Sequence, residues 1–252
     1  MKALYRTSLF AAVLAATLSS CEKKIEGLDK KSEKTNAIIS EKVYPLNGND
    51  TSVGILPGRD LPDAVLTNYS NFKVKVIDSV CDEYVNGTTK LDLSKIKDNA
   101  FGFDIKDKKI TVSSITGFRK LASGEKGWWT HWNYSPYTET EYPSVLFSEQ
   151  ETGYVANFFE LIFSKKVTTF GFEAAPNATG VNLKVSVGYQ AEITRDEDEL
   201  FSVDQTISSP SGARLIAVKS EKPFQKVTIY LENYKPELQG LAISNIRYTL
   251  AK

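Results

Sequence analysis

From about residue 72 to the C-terminus, apolar and polar positions alternate in short runs. Phe72-Lys73-Val74-Lys75-Val76 alternates apolar with basic, the pattern of a strand with one buried face. Ala100-Phe101-Gly102-Phe103-Asp104-Ile105 has the same period of two, and Lys106-Asp107-Lys108-Lys109 turns it into Ile110-Thr111-Val112-Ser113-Ser114-Ile115. Asn86-Gly87 predicts a hairpin turn. Further strands are predicted over 144–148, 154–163, 167–175, 181–194, 200–208, 213–219, 224–232 and 241–250, segments rich in Val, Ile, Thr, Phe and Tyr. No stretch of about ten residues or longer carries an amphipathic helix pattern. This many strands at such short spacing predict an all-β chain, an antiparallel β-sandwich forming one domain over residues 63–252. No repeat at a solenoid or propeller period occurs.

The N-terminus follows a different pattern. Lys2 and Arg6 precede the apolar run Leu9–Ala16, and small residues follow at Ser19 and Ser20. This arrangement predicts a secretory signal peptide over residues 1–20. The apolar run is too short to cross a bilayer as a helix. Leu18-Ser19-Ser20-Cys21 resembles the bacterial lipoprotein box. The resemblance implies a lipidated Cys21 as the mature N-terminus, anchored in a membrane of the cell envelope. The charged residues after it are similar to those of Gram-negative outer-membrane lipoproteins. Residues 22–36 are charged, mixed in sign and poor in large apolar groups, so they read as a flexible tether. Pro45, Asn47-Gly48-Asn49-Asp50, Pro57-Gly58 and Pro62 are turn signals, so the tether and an irregular arm extend over 21–62.

Charge and composition narrow the function classes. The 252 residues hold 31 basic and 31 acidic side chains, and loss of Lys2 and Arg6 with the signal leaves 29 basic ones. No clustered basic face points to nucleic acid. Hydrophobic residues at 41% are enough for a core. With lipid on Cys21, the second cysteine, Cys81, is expected as a free thiol buried in the strand-like run Val76–Cys81.

A longer motif set lies at 128–248. Trp128-Trp129-Thr130-His131-Trp132 leads to Pro143-Ser144-Val145-Leu146-Phe147. Leu161-Ile162-Phe163-Ser164-Lys165-Lys166-Val167-Thr168-Thr169-Phe170-Gly171-Phe172-Glu173-Ala174-Ala175-Pro176-Asn177 follows. The chain closes on Gly240-Leu241-Ala242-Ile243-Ser244-Asn245-Ile246-Arg247-Tyr248. These phrases resemble a jelly-roll β-sandwich domain of exported bacterial proteins, with its FGFE-x-x-PN strand and closing R-Y. The resemblance covers roughly half of the chain and implies fold, not activity. Within it, Phe170 and Phe172 share one face of a strand, and Gly171 marks a close approach of a neighbour. Some related calcium-assisted sandwiches carry Asp in the closing strand. Ser244-Asn245 stands there in this chain and argues against a metal.

The aromatic segment is the first candidate site. Trp128, Trp129, His131, Trp132, Asn133, Tyr134, Tyr137 and Glu139 include every Trp and the single His of the chain. Flat rings stack on sugar faces, and Asn133, Glu139 or Glu141 would bond hydroxyls, so carbohydrate binding is one reading. The other is that the rings plug one end of the sandwich. Glu139, Glu141 and Glu173 are also readable as a carboxylate pair for glycoside hydrolysis, which needs two of them across a cleft. The other reading for Glu173 is a hydrogen bond to a loop. Asp196-Glu197-Asp198-Glu199 reads as a solvated turn, since it lacks the glycine and alternate spacing of a calcium loop. No nucleophile elbow, phosphate loop or cofactor motif occurs. The expectation is a non-catalytic, lipid-anchored envelope protein that binds polysaccharide or another envelope protein, with no nucleic acid, cofactor or metal.

Overall fold

The computed structural model describes residues 22–23, 65–67, 72–122, 132, 135–149, 152–153, 155–176, 182–193, 199–208, 212–232 and 240–252. They form twelve strands and one short helix, and every strand pairing is antiparallel. The chain order is β1 (Glu22–Lys23), β2 (Val65–Thr67), β3 (Val74–Ile77), α1 (Asp82–Gly87), β4 (Thr89–Lys90), β5 (Phe101–Lys106), β6 (Thr111–Leu121), β7 (Val145–Phe147), β8 (Phe158–Pro176), β9 (Asn182–Gln190), β10 (Glu199–Ser208), β11 (Arg214–Glu232) and β12 (Leu241–Leu250). The all-β antiparallel sandwich predicted from the alternation is the observed architecture.

Two strands of 19 residues each, β8 and β11, run through both halves of the sandwich. In one half, Arg214–Lys219 pairs with Thr169–Ala174, β12 and β7 extend the sheet beyond β8, and β3 extends it beyond β11. In the other half, Lys226–Tyr230 pairs with Phe158–Ile162, β6 and β5 follow on the β8 side, and β9, β10 and β2 follow on the β11 side. Val74 and Val76 of β3 meet Phe201 and Val203 of β10 in a single core. Tyr189 stacks on Phe201 with ring centroids 4.5 Å apart, and Phe163 and Phe170 lie 5.0 Å apart. Each such fully buried large apolar side chain contributes about 1.5–3 kcal/mol.

Sequence reasoning places breaks between 163 and 167 and between 219 and 224, but the strands run on. Ser164, Lys165 and Lys166 are exposed, and so are Lys219, Glu221 and Lys222. The ladder shifts register between Lys219 and Phe224. A polar run that resembles a turn is here the crossing of one strand from sheet to sheet, through irregular pairing. Asn86-Gly87 is also corrected. It ends helix α1 and makes no hairpin, because the same residues that favour turns also close helices. The 106–109 turn stands as predicted, with Asp107 Oδ1 accepting the backbone N–H groups of Lys109 and Ile110.

Along β8, Phe170, Phe172 and Ala174 face the core, while Gly171, Glu173 and Ala175 face outward by the alternation of a strand. That outer face is covered. Ile77, Tyr84, Leu215 and Ala217 form one small apolar cluster, and Trp132, Val145, Phe147, Ala175, Ala213 and Ala242 form another.

Candidate functional site

On this covered face β8 contributes Glu173 and β12 contributes Asn245 and Arg247. The segment leading into β7 contributes Trp132, Glu139 and Thr140. Glu173 has no solvent exposure. Its Oε2 accepts the Trp132 indole N–H at 2.6 Å and Asn245 Nδ2 at 2.8 Å, and its Oε1 accepts the Glu139 backbone N–H at 2.5 Å. Burial pushes the carboxyl up to about 7, against the pull of these three donors. Asn245 Nδ2 also reaches Thr140 Oγ1.

The Glu139 carboxylate is forked by Arg247, with Nε to Oε1 at 2.5 Å and Nη2 to Oε2 at 3.0 Å. Arg247 Nη1 donates to the Val85 carbonyl at 3.0 Å, which ties the pair to helix α1. Lys90 Nζ adds a longer contact to Glu139 Oε2. Asn245 makes this possible through its backbone. It has φ 46°, and the β12–β8 register shifts between Ser244 and Arg247. Asn tolerates this left-handed conformation better than most residues. An Asp at 245 would set a second carboxylate against Glu173, so the amide belongs to the design of the site. Among the described residues no group of His, Cys, Asp and Glu is placed to hold a metal ion.

Of the predicted site residues, Trp132, Tyr137 and Glu139 are described. Trp132 is 1% exposed and spends its N–H on Glu173, so its ring is not open for stacking on a ligand. Glu139 anchors the segment through its backbone and its carboxylate. Tyr137 is half-buried and lies over the guanidinium of Arg214. Trp128, Trp129, His131, Asn133 and Tyr134 lie outside the described residues, as does Cys21. Glu139 and Glu173 are adjacent, but both oxygens of each hold donors, and Glu141 is exposed. The Glu139 and Glu173 carboxylates do not face each other across an open cleft. Asp196, Glu197 and Asp198 are outside the described residues, while Glu199 begins β10.

Cys81 departs from expectation. It precedes α1 instead of lying in a strand, it is half-buried, and it is disulfide-bonded rather than free. The strand-like run ends at Ile77. One sulfur cannot hold both a disulfide and a lipid thioether, and the chain has one other cysteine, Cys21.

Beside the anchored segment is a groove of about 450 Å³. Its walls are Lys90, Leu91, Asp92, Leu93, Thr140, Tyr142, Pro143, Ser144, Ser244 and Asn245. Tyr142 is 58% exposed. Ser244 Oγ donates to the Ser144 carbonyl at 2.6 Å, and Asp92 Oδ1 accepts the Ser94 N–H, so both rims are held. Sequence reasoning missed this groove, because its walls come from three distant segments. It also missed Arg214 and Arg247. Their signal was available as single charges inside otherwise apolar strands, where charged residues are rare unless paired.

The fold and the site together define an all-β sandwich carrying an anchored surface segment and a shallow polar groove. No protein-family model matches the chain, and no curated protein matches it. Among solved structures, the enzymatically active domain of tailspike protein 4 from bacteriophage CBA120 aligns at 14% identity with a TM-score of 0.26. The match covers 69% of this chain and 22% of that one, so this chain spans about a fifth of its length.

Proposed function

We propose that this chain is an exported, lipid-anchored, non-catalytic protein of the cell envelope that binds carbohydrate in the Thr140–Ser144 groove. The groove carries the reading. An exposed phenol ring at Tyr142 offers a stacking face, and Asp92, Thr140, Ser144 and Asn245 surround it with hydroxyl, amide and carboxylate groups. Binding without catalysis fits carboxylates that are fully engaged by donors. The signal-like N-terminus supports export. Lipid on Cys21 is the anchor of this reading.

Calorimetric titration of the chain with a panel of neutral polysaccharides tests the groove. At least one should bind saturably, and Tyr142→Ala should weaken it about tenfold, about 1.4 kcal/mol, while leaving the unfolding midpoint in place. Binding that survives Tyr142→Ala unchanged, or no binding to any glycan, removes the groove reading.

A second reading rests on one edge of the sheet. Among the described strands β5 is an edge strand, and Phe103 there and Ile115 on β6 are 50% and 55% exposed. Exposed apolar groups on a free edge support docking to another envelope protein.

A further inference from the structure

Arg214 opens β11 with its side chain 1% exposed, yet its Nε, Nη1 and Nη2 hydrogen-bond to nothing. The Tyr137 ring lies 3.9 Å from the guanidinium carbon. A guanidinium stays charged at any physiological pH and presents five donors. A ring face attracts the cation but accepts none of those hydrogen bonds in the plane of the fork. Burying an ion without an anionic partner is unfavourable enough that proteins normally supply one.

Among the described residues no carboxylate pairs with Arg214. Ser208-Ser209-Pro210-Ser211-Gly212-Ala213 leads into Arg214 without an acidic residue. Its strand partner Ala174 is followed by Ala175-Pro176-Asn177, and Tyr137 stands within Ser135-Pro136-Tyr137-Thr138. The nearest acidic residues along these segments are Glu173 and Glu139. The first holds three donors and the second is forked by Arg247. Arg247 therefore has its carboxylate, and no described carboxylate pairs with Arg214.

We propose that Arg214, with Tyr137 across its face, is a binding site for an oxyanion, a carboxylate or sulfate group carried by a ligand. The guanidinium fork matches two oxygens of either group, and the aromatic ring fixes the plane of the fork. The site does not rest on the groove reading, since its determinant is Arg214 and that of the groove is Tyr142.

The test is calorimetric titration of the full chain with sodium sulfate and with sodium glucuronate at constant ionic strength, with sodium chloride and glucose as references. At least one oxyanion should bind saturably and more tightly than chloride, and Arg214→Met should lose at least tenfold in affinity. Binding of glucuronate alone assigns a carboxylate, and binding of sulfate alone assigns a tetrahedral anion. The proposal is overturned if neither binds better than chloride, or if Arg214→Met binds as tightly as the wild type. If Arg214→Met does not fold, Arg214→Lys decides. It keeps the charge and loses the fork, so a severalfold drop supports the site and unchanged affinity overturns it.

Discussion

An added Cβ at Gly171 would run into Tyr84 Oη and Ala217 Cβ. The glycine of the FGFE phrase is therefore required by space. Tyr84 is wholly buried and its hydroxyl has no hydrogen-bond partner, so burial pushes its ionisation far above the ordinary range. Gly171→Ala should cost about 1–3 kcal/mol in urea unfolding, the usual cost of overpacking. Tyr84→Phe alone should be neutral or stabilising, because it removes an unpaired buried hydroxyl. In that background Gly171→Ala should cost less, and equal costs in both backgrounds would show that Tyr84 is not the obstacle. The close approach at Gly171 was readable from a glycine between two core aromatics. Its neighbour was not, because Tyr84 arrives from a helix that the Asn86-Gly87 signal disguised as a hairpin.

The element that depends most on its anchor is the segment from Trp132 to Ser144. Glu173 holds it at Trp132 and Glu139, and Arg247 holds Glu139 in turn. The Glu173 carboxyl is raised from 4.5 to about 7 in the fold, so the native state binds its proton more tightly than the unfolded chain. This contribution to stability is fully present below pH 4.5 and is lost as pH rises through about 7. The full swing is about 3 kcal/mol at 1.36 kcal/mol per pH unit. Urea unfolding between pH 4.5 and 8 should show this slope in the wild type and not in Glu173→Gln. Identical slopes would mean that Glu173 does not titrate in this range. The glutamine cannot accept all three donors, so the variant should be less stable at every pH. Sequence reasoning admitted a loop hydrogen bond for Glu173, which is the role it has. It took Trp132 as a possible stacking face because residue type and clustering do not report which way an indole points. The polar partners that turn it inward lie 41 residues away on β8.

At the scale of the molecule, alternation located the described strands other than the short β1, β2 and β4, and it failed where β8 and β11 cross between sheets. A period of two describes one face at a time, and a strand that changes sheets interrupts its own pattern with polar residues. The crossing also bears on the N-terminus. β3 leads to Cys81, and β3 is placed by β11, about 140 residues later. Lipid on Cys21 would leave no second cysteine for the disulfide at Cys81. Intact mass of the mature protein therefore tests the anchor: lipid on Cys21 should raise the mass by that of its acyl chains. A lipid-free chain whose Cys81 labels only after reduction would replace the anchor with the disulfide.

The shared strands have one more consequence, in the order of synthesis. β11 is the neighbour of β3, β8 and β9 together, and only β12 follows it. Everything made before it lacks one of the two strands that run through both halves, and non-local pairing of this kind closes late. The growing chain thus stays open until β11 has been made. An open chain is the form that can be threaded through a membrane, so the topology that makes the finished sandwich indivisible also keeps the unfinished one fit to travel.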